Sequence, residues 1–322
     1  MRSGMRDRMN DIDLIKRAAG LYYNHDCTQS DIAERFGISR AKVSRVLAQA
    51  REKGIVKIFI DDEAGGSSLL EDRLMSRFPL KAAKVISVPE QDAALAVQIT
   101  AQEAAAFFSG FLAPGDRIGV SWGYTLYTMA KYFPELALGN ASVVQVTGSV
   151  DNTSTRSHAG EIVSLLSQKL HTADAYTLPC PAMLDNSIIL DMLLHDAKVK
   201  KMLDLACSCN KLIVSLAQAN ETCCLYRADY IGDREIAQLR EKNAVGSICC
   251  RFVNEEGELC DQALDDRTFG IRLSDLRGKE QVMTCVADPG KVPVLHACLR
   301  ARYVDVLAID SLSAAKLLEM DD

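Results

Sequence analysis

Seven cationic side chains gather between residues 35 and 57: Arg35, Arg40, Lys42, Arg45, Arg51, Lys53 and Lys57, against the single acid Glu52. A net +6 over 23 residues suits a polyanionic partner. The first 60 residues carry 12 basic and 7 acidic side chains, and the rest of the chain 25 basic and 36 acidic. A basic segment is thus attached to an acidic body. Charge alone fits a solvated helix face equally well, so the periodicity of the segment has to decide.

A second set of residues able to do chemistry lies farther along, where apolar runs stop at small polar groups. Ile118-Gly119-Val120-Ser121-Trp122-Gly123-Tyr124-Thr125 reads as a strand running into a helix. Gly123 there permits close backbone approach, Ser121 and Thr125 supply hydroxyls, and the helix start offers free N–H groups to an anion. An ordinary strand-to-helix turn is the alternative on these residues alone. Val146-Thr147-Gly148-Ser149 ends another apolar run in a small polar turn. Asp288-Pro289-Gly290-Lys291 opens a helix with a lysine that either contacts a phosphate or is merely solvated. No Gly-x-x-x-x-Gly-Lys-Ser/Thr loop is present, and no Asp/Glu–His constellation suited to acid–base catalysis stands at these run ends. The eleven cysteines are odd in number and lack zinc spacing, which reads as reduced, mostly buried thiols of a cytosolic protein. No catalytic residue, metal or cofactor is expected.

Elements must hold these groups in place. Ile12, Ile15, Ala18, Ala19, Leu21 and Tyr22 recur at helical spacing and predict a first helix ending near Tyr23–His25. Thr28 with Asp31 three residues on reads as a helix cap, and Ile32, Ala33 and Phe36 as the stripe of a short second helix. Gly37 stands where a helix ends in a left-handed residue. Ser39 caps a third helix buried through Val43, Val46, Leu47 and Ala50. This is helix-turn-helix spacing, with Ala33 small at the crossing. It leaves Arg40, Ala41, Lys42, Ser44 and Arg45 on an outer face that fits a major groove. Thr28, Gln29 and Ser39 flank that face. A protein-binding helical hairpin is the weaker reading. Ile55–Ile60 reads as a strand, either a wing or a connection.

Asp61–Ser68 is polar and rich in glycine and serine, which predicts a linker between a domain of residues 1–60 and one of residues 69–322. Beyond it, candidate strands are Val85–Val88, Arg117–Ser121, Ser142–Thr147, Ala175–Leu178, Lys211–Ala217, Ser247–Val253, Gln281–Ala287 and Val304–Ile309. Helical patterns such as Asp92–Leu112, Tyr124–Phe133, Glu161–Leu170, Ile188–Leu205 and Pro293–Arg302 lie between most of them. The fold class is therefore α/β: a helix-turn-helix (winged-helix-like) domain plus a larger Rossmann-like domain with a parallel sheet, ligands sitting beyond the carboxyl ends of the strands. Hydrophobic residues at 48% of the 322, with charged residues at 25%, exclude disorder, and no apolar stretch is long enough to span a membrane. No secretory signal is read at the N-terminus.

Taken together, Leu21–Tyr23, Thr28–Arg45, Gly54–Val56, Gly119–Thr125 and the Lys291 segment leading to Val304–Leu318 resemble the SorC (sugar-binding, DeoR/CggR-like) family of bacterial transcriptional regulators. The resemblance covers nearly the whole chain. It implies double-stranded operator DNA as partner of the N-terminal domain. It also implies a C-terminal domain related to phosphosugar isomerases of the glucosamine-6-phosphate deaminase type, which senses a sugar, polyol or sugar phosphate and forms dimers or tetramers. By resemblance the effector site would use Ser121, Trp122, Gly123, Tyr124 and Thr125, then Gly148 and Ser149, with His158, Ser247, Asp288 and Lys291. Three positions depart from the family pattern. Asp288-Pro289 replaces Gly-Gly, Ser247 replaces an acidic residue, and Ser215-Leu216-Ala217 replaces a Gly-Ile-Gly strand end. The expectation is a cytoplasmic regulator of a carbohydrate-utilisation operon. An isomerase or deaminase carrying a DNA-binding domain is the alternative.

Overall fold

Thr28 and Asp31 close a reciprocal cap in the first unit. The Thr28 hydroxyl accepts from the Asp31 N–H (3.2 Å), and the Asp31 carboxylate accepts from the Thr28 N–H (2.9 Å). The cap starts α2 (Gln29–Phe36), which follows α1 (Ser3–Tyr23) and precedes α3 (Arg40–Glu52). Gly37 ends α2 at φ 63°, a left-handed conformation that glycine adopts without Cβ strain. Ile15, Ala18 and Ala19 of α1, Ile32 of α2, and Val43, Val46, Leu47 and Ala50 of α3 form the buried core. Ile12, included in the expected stripe, is instead exposed, because the stripe covered by α2 and α3 starts one turn later at Ile15.

The computed structural model describes residues 3–23, 27–52, 55–56, 66–89, 91–149 and 158–321. The chain divides into two compact units, Met1–Asp62 and Glu63–Asp322. Of the expected strand Ile55–Ile60, Ile55 and Val56 form a bend whose N–H groups both donate to Ala50 O, and residues 57–60 lie outside the described residues. Residues 61–65 of the expected linker also lie outside them. Gly66, Ser67 and Ser68 of the expected linker form the first turn of α4 (Gly66–Arg77), whose Leu74 is fully buried.

The second unit is built on a seven-stranded sheet. Its strands are β1 (Ala82–Ile86), β2 (Arg117–Val120), β3 (Ser142–Gln145), β4 (Ala175–Tyr176), β5 (Lys211–Val214), β9 (Gln281–Val286) and β10 (Val306–Asp310). A smaller antiparallel sheet holds β6 (Leu216–Gln218), β7 (Gly246–Ile248) and β8 (Arg251–Val253). The large sheet has the order β1-β10-β9-β5-β2-β3-β4, every neighbour parallel. Helices cover both faces, so the central strands bury both sides, as parallel sheets do. Ile213, Met283, Cys285, Val306 and Ala308 face one core with α5 (Ala93–Ser109), α6 (Tyr124–Tyr132) and α7 (Ala159–Lys169). Leu212, Val214, Val282, Val286, Leu307 and Ile309 face the other. That second core includes α4, α8 (Ser187–Leu194), α9 (Ala197–Cys207) and two helices near the C-terminus, Val292–Arg300 and Ser311–Glu319.

Three sequence expectations are corrected in detail. Ile188–Leu205 is two helices, because Asp196 breaks the run and caps α9 by accepting from the Lys198 and Val199 N–H groups. Lys211–Ala217 is two strands: the chain leaves the large sheet at Ser215 and joins the small one as β6. Ser247–Val253 is a hairpin and no part of the parallel sheet. Cys249 (φ 51°) and Cys250 (φ 65°) make its two-residue turn, the conformation of hairpin turns that follow the twist of their strands.

Arg251 fixes this hairpin to the loop after it. It is buried, pairs with the Asp265 carboxylate, and donates to Ile271 O (2.7 Å) and Gly270 O (3.0 Å). Removing one partner of a buried pair leaves the other uncompensated. Arg251→Met is expected to cost about 3–5 kcal/mol of stability, read as a lowered midpoint in chemical denaturation.

Candidate functional site

The first unit carries the cationic face. Arg40, Ala41, Lys42, Ser44 and Arg45 are all exposed on α3, opposite its buried stripe. Ser39 Oγ accepts from the Lys42 N–H (3.2 Å) and so orders the first turn of α3. Thr28, Gln29, Ser30 and Arg40 line one hollow with Tyr22 and Tyr23, where the start of α2 meets the start of α3. The Thr28 side chain already serves the α2 cap, and its hydrogen bonds lower the Asp31 carboxyl below its ordinary value. Arg35 and Arg51 extend the exposed cations, and Lys53 and Lys57 lie outside the described residues.

In the second unit the sheet order sets where a ligand can sit. From β2 the chain moves outward to β3 and β4, then returns to β5 on the other side of β2 and continues through β9 to β10, which lies beside the first strand, β1, at the far edge. The strand order therefore reverses between β2 and β5, and crevices open at such points beyond the carboxyl ends of the strands. A cavity of about 370 Å³ lies there, within the range of small-molecule sites. Ser121, Trp122, Gly123, Tyr124 and Thr125 line it after β2, Ser215, Leu216, Ala217 and Gln218 after β5, and Asp288 and Lys291 after β9.

The lining is built from local constraints. Gly123 holds φ 139°, a conformation that strains any residue with a Cβ, and a Cβ there would also sit tightly against Ser215 Oγ at 3.1 Å. No side chain caps the start of α6, which leaves its first N–H groups available to an anion. Ser121 Oγ accepts from the Ser215 N–H (2.8 Å), tying the ends of β2 and β5. The Trp122 indole N–H donates to Gly148 O (2.8 Å), tying β2 to the turn after β3. Asp288 accepts from the Gly290 N–H (2.8 Å) and from Gln218 Nε2 (3.1 Å), so both its oxygens are engaged by the protein. Burial pushes the Lys291 ammonium below the ordinary lysine range, opposed by the neighbouring Asp288. Burial pushes the Cys249 thiol up to about 12 and Cys250 well above its ordinary value, so the hairpin turn presents neutral sulfur.

The eight expected residues Ser121, Trp122, Gly123, Tyr124, Thr125, Ser247, Asp288 and Lys291 come together around this cavity. Gly148, Ser149 and His158 are not among its lining residues. Gly148 is packed so closely that a Cβ would come within 2.3 Å of Pro181 O, and Ser149 pairs through its backbone with Cys180 and Ala182. His158 stacks on Tyr127 (3.8 Å between centroids) and contacts Glu161 at the start of α7. The lining also contains Arg227, Thr147, Thr222 and the pair Cys223-Cys224, which the sequence reading did not select. Arg227 and the two cysteines come from a four-residue helix, Cys224–Arg227, and its N-cap, too short to leave a periodic signal. Thr147 lies in the Val146–Ser149 strand end, where a β-branched residue carries no signal beyond that of the strand itself.

A helix-turn-helix unit with an exposed cationic helix, together with a strand-end cavity of ligand size, defines a DNA-binding regulator with a sensing domain. Residues 62–319 match the family model "Putative sugar-binding domain", and residues 17–64 match a model of the MarR family. The chain is 32% identical to the deoxyribonucleoside regulator of Bacillus subtilis (strain 168), over 94% of this chain and 96% of that one. It is 28% identical to the sorbitol operon regulator of Klebsiella pneumoniae, over 97% and 100% respectively. The crystal structure of the full-length sorbitol operon regulator SorC from Klebsiella pneumoniae superposes with a TM-score of 0.76 at 28% identity, covering 96% of this chain and 99% of that one. The chain belongs to the SorC-like family of transcriptional regulators with a sugar-binding domain. Among the described residues no helix is long and apolar enough to cross a membrane.

Trp122 is the chain's one tryptophan, and it lines the cavity. Trp122→Phe keeps the ring but leaves the buried Gly148 carbonyl without the indole N–H. It is expected to cost about 1–3 kcal/mol, measured by circular dichroism in a denaturant series.

Proposed function

We propose that the protein is a cytoplasmic, non-enzymatic regulator of a carbohydrate-utilisation operon, whose affinity for double-stranded operator DNA is set by a phosphorylated sugar or polyol. The observation that carries the effector class is the charge of the cavity. Lys291 and Arg227 line it together with the uncapped start of α6, and the one carboxylate among the described lining residues, Asp288, turns both oxygens to the protein. That balance favours an anionic ligand. The same lining holds no histidine and no second carboxylate, which speaks against an isomerase or deaminase needing a positioned acid and base. The names of the relatives, regulators of a sorbitol operon and of deoxyribonucleosides, support a sugar-derived effector. The working boundaries are residues 1–60 for DNA binding, 61–68 for the connection, and 69–322 for effector binding and assembly into a homodimer or homotetramer.

Thr28, Gln29, Ser39, Arg40, Ala41, Lys42, Ser44 and Arg45 form the DNA contact surface in this reading. Arg40 and Arg45 reach base edges or phosphates, and the short hydroxyls fix register. The effector favours one arrangement of paired α3 helices on a pseudo-palindromic operator. A coupling of about 1–3 kcal/mol corresponds to a 5–150-fold change in operator affinity.

Arg40→Ala and Arg45→Ala are each expected to weaken operator binding by about 1–3 kcal/mol, with unchanged assembly by analytical ultracentrifugation. Wild-type affinity in both variants, measured by fluorescence anisotropy at fixed salt, would remove α3 from the interface. Lys291→Ala is expected to keep operator affinity and lose the effector response. A response equal to wild type would take Lys291 out of the site.

A further inference from the structure

Helix α8 is apolar on more sides than it can bury. Six of its eight residues, Ser-Ile-Ile-Leu-Asp-Met-Leu-Leu, are large hydrophobics. Leu190 is buried, and Leu193 and Leu194 pack against the second core, so the inward face is already filled. Ile188 and Met192 stand on the outward face at 69% and 71% exposure, with Ile189 beside them at 38%. They are three of the eight large hydrophobics left exposed among the described residues, gathered in little more than one turn of one helix. Scattered exposed hydrophobics need no explanation, but a contiguous group marks a surface that something covers.

The helix is held against turning these side chains inward. Asn186 caps it, its side-chain oxygen accepting from the Ile189 N–H (3.0 Å). The Leu184 N–H donates to Arg267 O (2.8 Å), and the Arg267 guanidinium donates back to Leu184 O (3.0 Å), which fixes the approach to α8. At the far end the Asp196 cap starts α9 at once. The exposed stripe therefore sits on a packed, anchored base.

The charges around the stripe indicate its occupant. Ile188 stands two residues before Leu190 and Met192 two residues after it. Five before and five after Leu190 come Asp185 and His195, both exposed, and the exposed Lys198 follows in the first turn of α9. The first end is thus acidic and the second, through Lys198, cationic. A second copy of α8 laid antiparallel about a two-fold axis level with Leu190 sets Ile188 against the partner's Met192. It also sets each acidic end against a cationic one, twice over. That is the isologous arrangement, in which one patch is its own complement. Antiparallel helices further place each positive dipole end beside a negative one. A lipid surface is a poorer match, because interfacial helices ring their apolar face with cations, whereas Asp185 and Asp191 flank this one.

We propose that α8 is a homotypic interface, through which two copies of the chain pair about a two-fold axis with Ile188 and Met192 at its apolar centre. This rests on the assembly reading given above and names the surface that carries it. Eight helical residues span about 12 Å, less than a stable interface covers. The stripe is therefore the centre of the contact, and the charges of the adjoining α9 belong to its rim.

The test uses the full-length protein in sedimentation equilibrium across a concentration series. Wild type is expected to assemble. Ile188→Glu/Met192→Glu is expected to sediment at half the wild-type mass, its dissociation constant raised about thirtyfold or more, as for residues at the centre of an interface. Charge variants decide the matter independently of any effect on folding. Asp185→Lys and Lys198→Glu are each expected to weaken association about fivefold, and combining the two restores it, which damage to the fold would not do. Association as tight as wild type in the apolar variant and in both charge variants overturns the proposal while leaving assembly through another surface. A wild type that is monomeric throughout overturns the assembly reading, and this proposal with it. Cosedimentation of wild type with phosphatidylcholine–phosphatidylglycerol vesicles, lost in Ile188→Glu/Met192→Glu, would give the stripe to a lipid surface and overturn the pairing.

Discussion

The cavity depends on one topological constraint, the single reversal of strand order between β2 and β5 in a sheet whose strands all run the same way. Parallel strands bring every carboxyl end to one edge, and helices on both faces leave that edge as the place where backbone groups and short side chains remain open. The chain then cross-links the ends it has gathered. Ser121 joins β2 to β5, Trp122 joins β2 to the turn after β3, and Gln218 joins β6 to the Asp288 turn after β9. Ser121 and Trp122 stand one and two positions past β2, and Gln218 is the last residue of β6. The site is thus held by the same segments that line it.

Charge is divided between the two units in a way that suits their separate tasks. The small unit keeps its cations on the outer face of α3, with the apolar stripe below supplying rigidity. Exposed cations act over a distance set by ionic strength and draw in a polyanion. The acidic body repels the same partner, which confines attachment to the helix. Inside the cavity the situation is reversed: neutral thiols, hydroxyls and backbone surround Arg227, Lys291 and an Asp288 carboxylate already held by the protein.

The helix-turn-helix unit was legible because its signals are local. Thr28 and Asp31 cap within one turn, Gly37 stands where φ must be positive, and Val43, Val46, Leu47 and Ala50 repeat at the helical period. The α/β class and most strands of the large sheet were legible for a similar reason, since buried parallel strands are short apolar runs. The small antiparallel sheet was not. Cys249 and Cys250 make a hairpin turn without the Asn-Gly or Asp-Gly signal that marks such turns, so Ser247–Val253 read as one strand. Of the site, the residues after β2 and β9 were visible as motif and resemblance. Arg227 and Cys223-Cys224 arrive by tertiary packing from a loop between β6 and β7, and nothing in their own segment announces it. Gly148 and His158 show the reverse case: their types suited a ligand, but close packing against Pro181 and stacking on Tyr127 already account for them.

The hairpin turn has a consequence for how this fold can change. Two successive non-glycine residues in the left-handed region are conformationally costly, and an asparagine–glycine pair would relieve most of that cost. Such a replacement would strip two sulfur side chains from the wall of the cavity and put an amide in their place. Robustness and ligand fit therefore pull in opposite directions at residues 249 and 250.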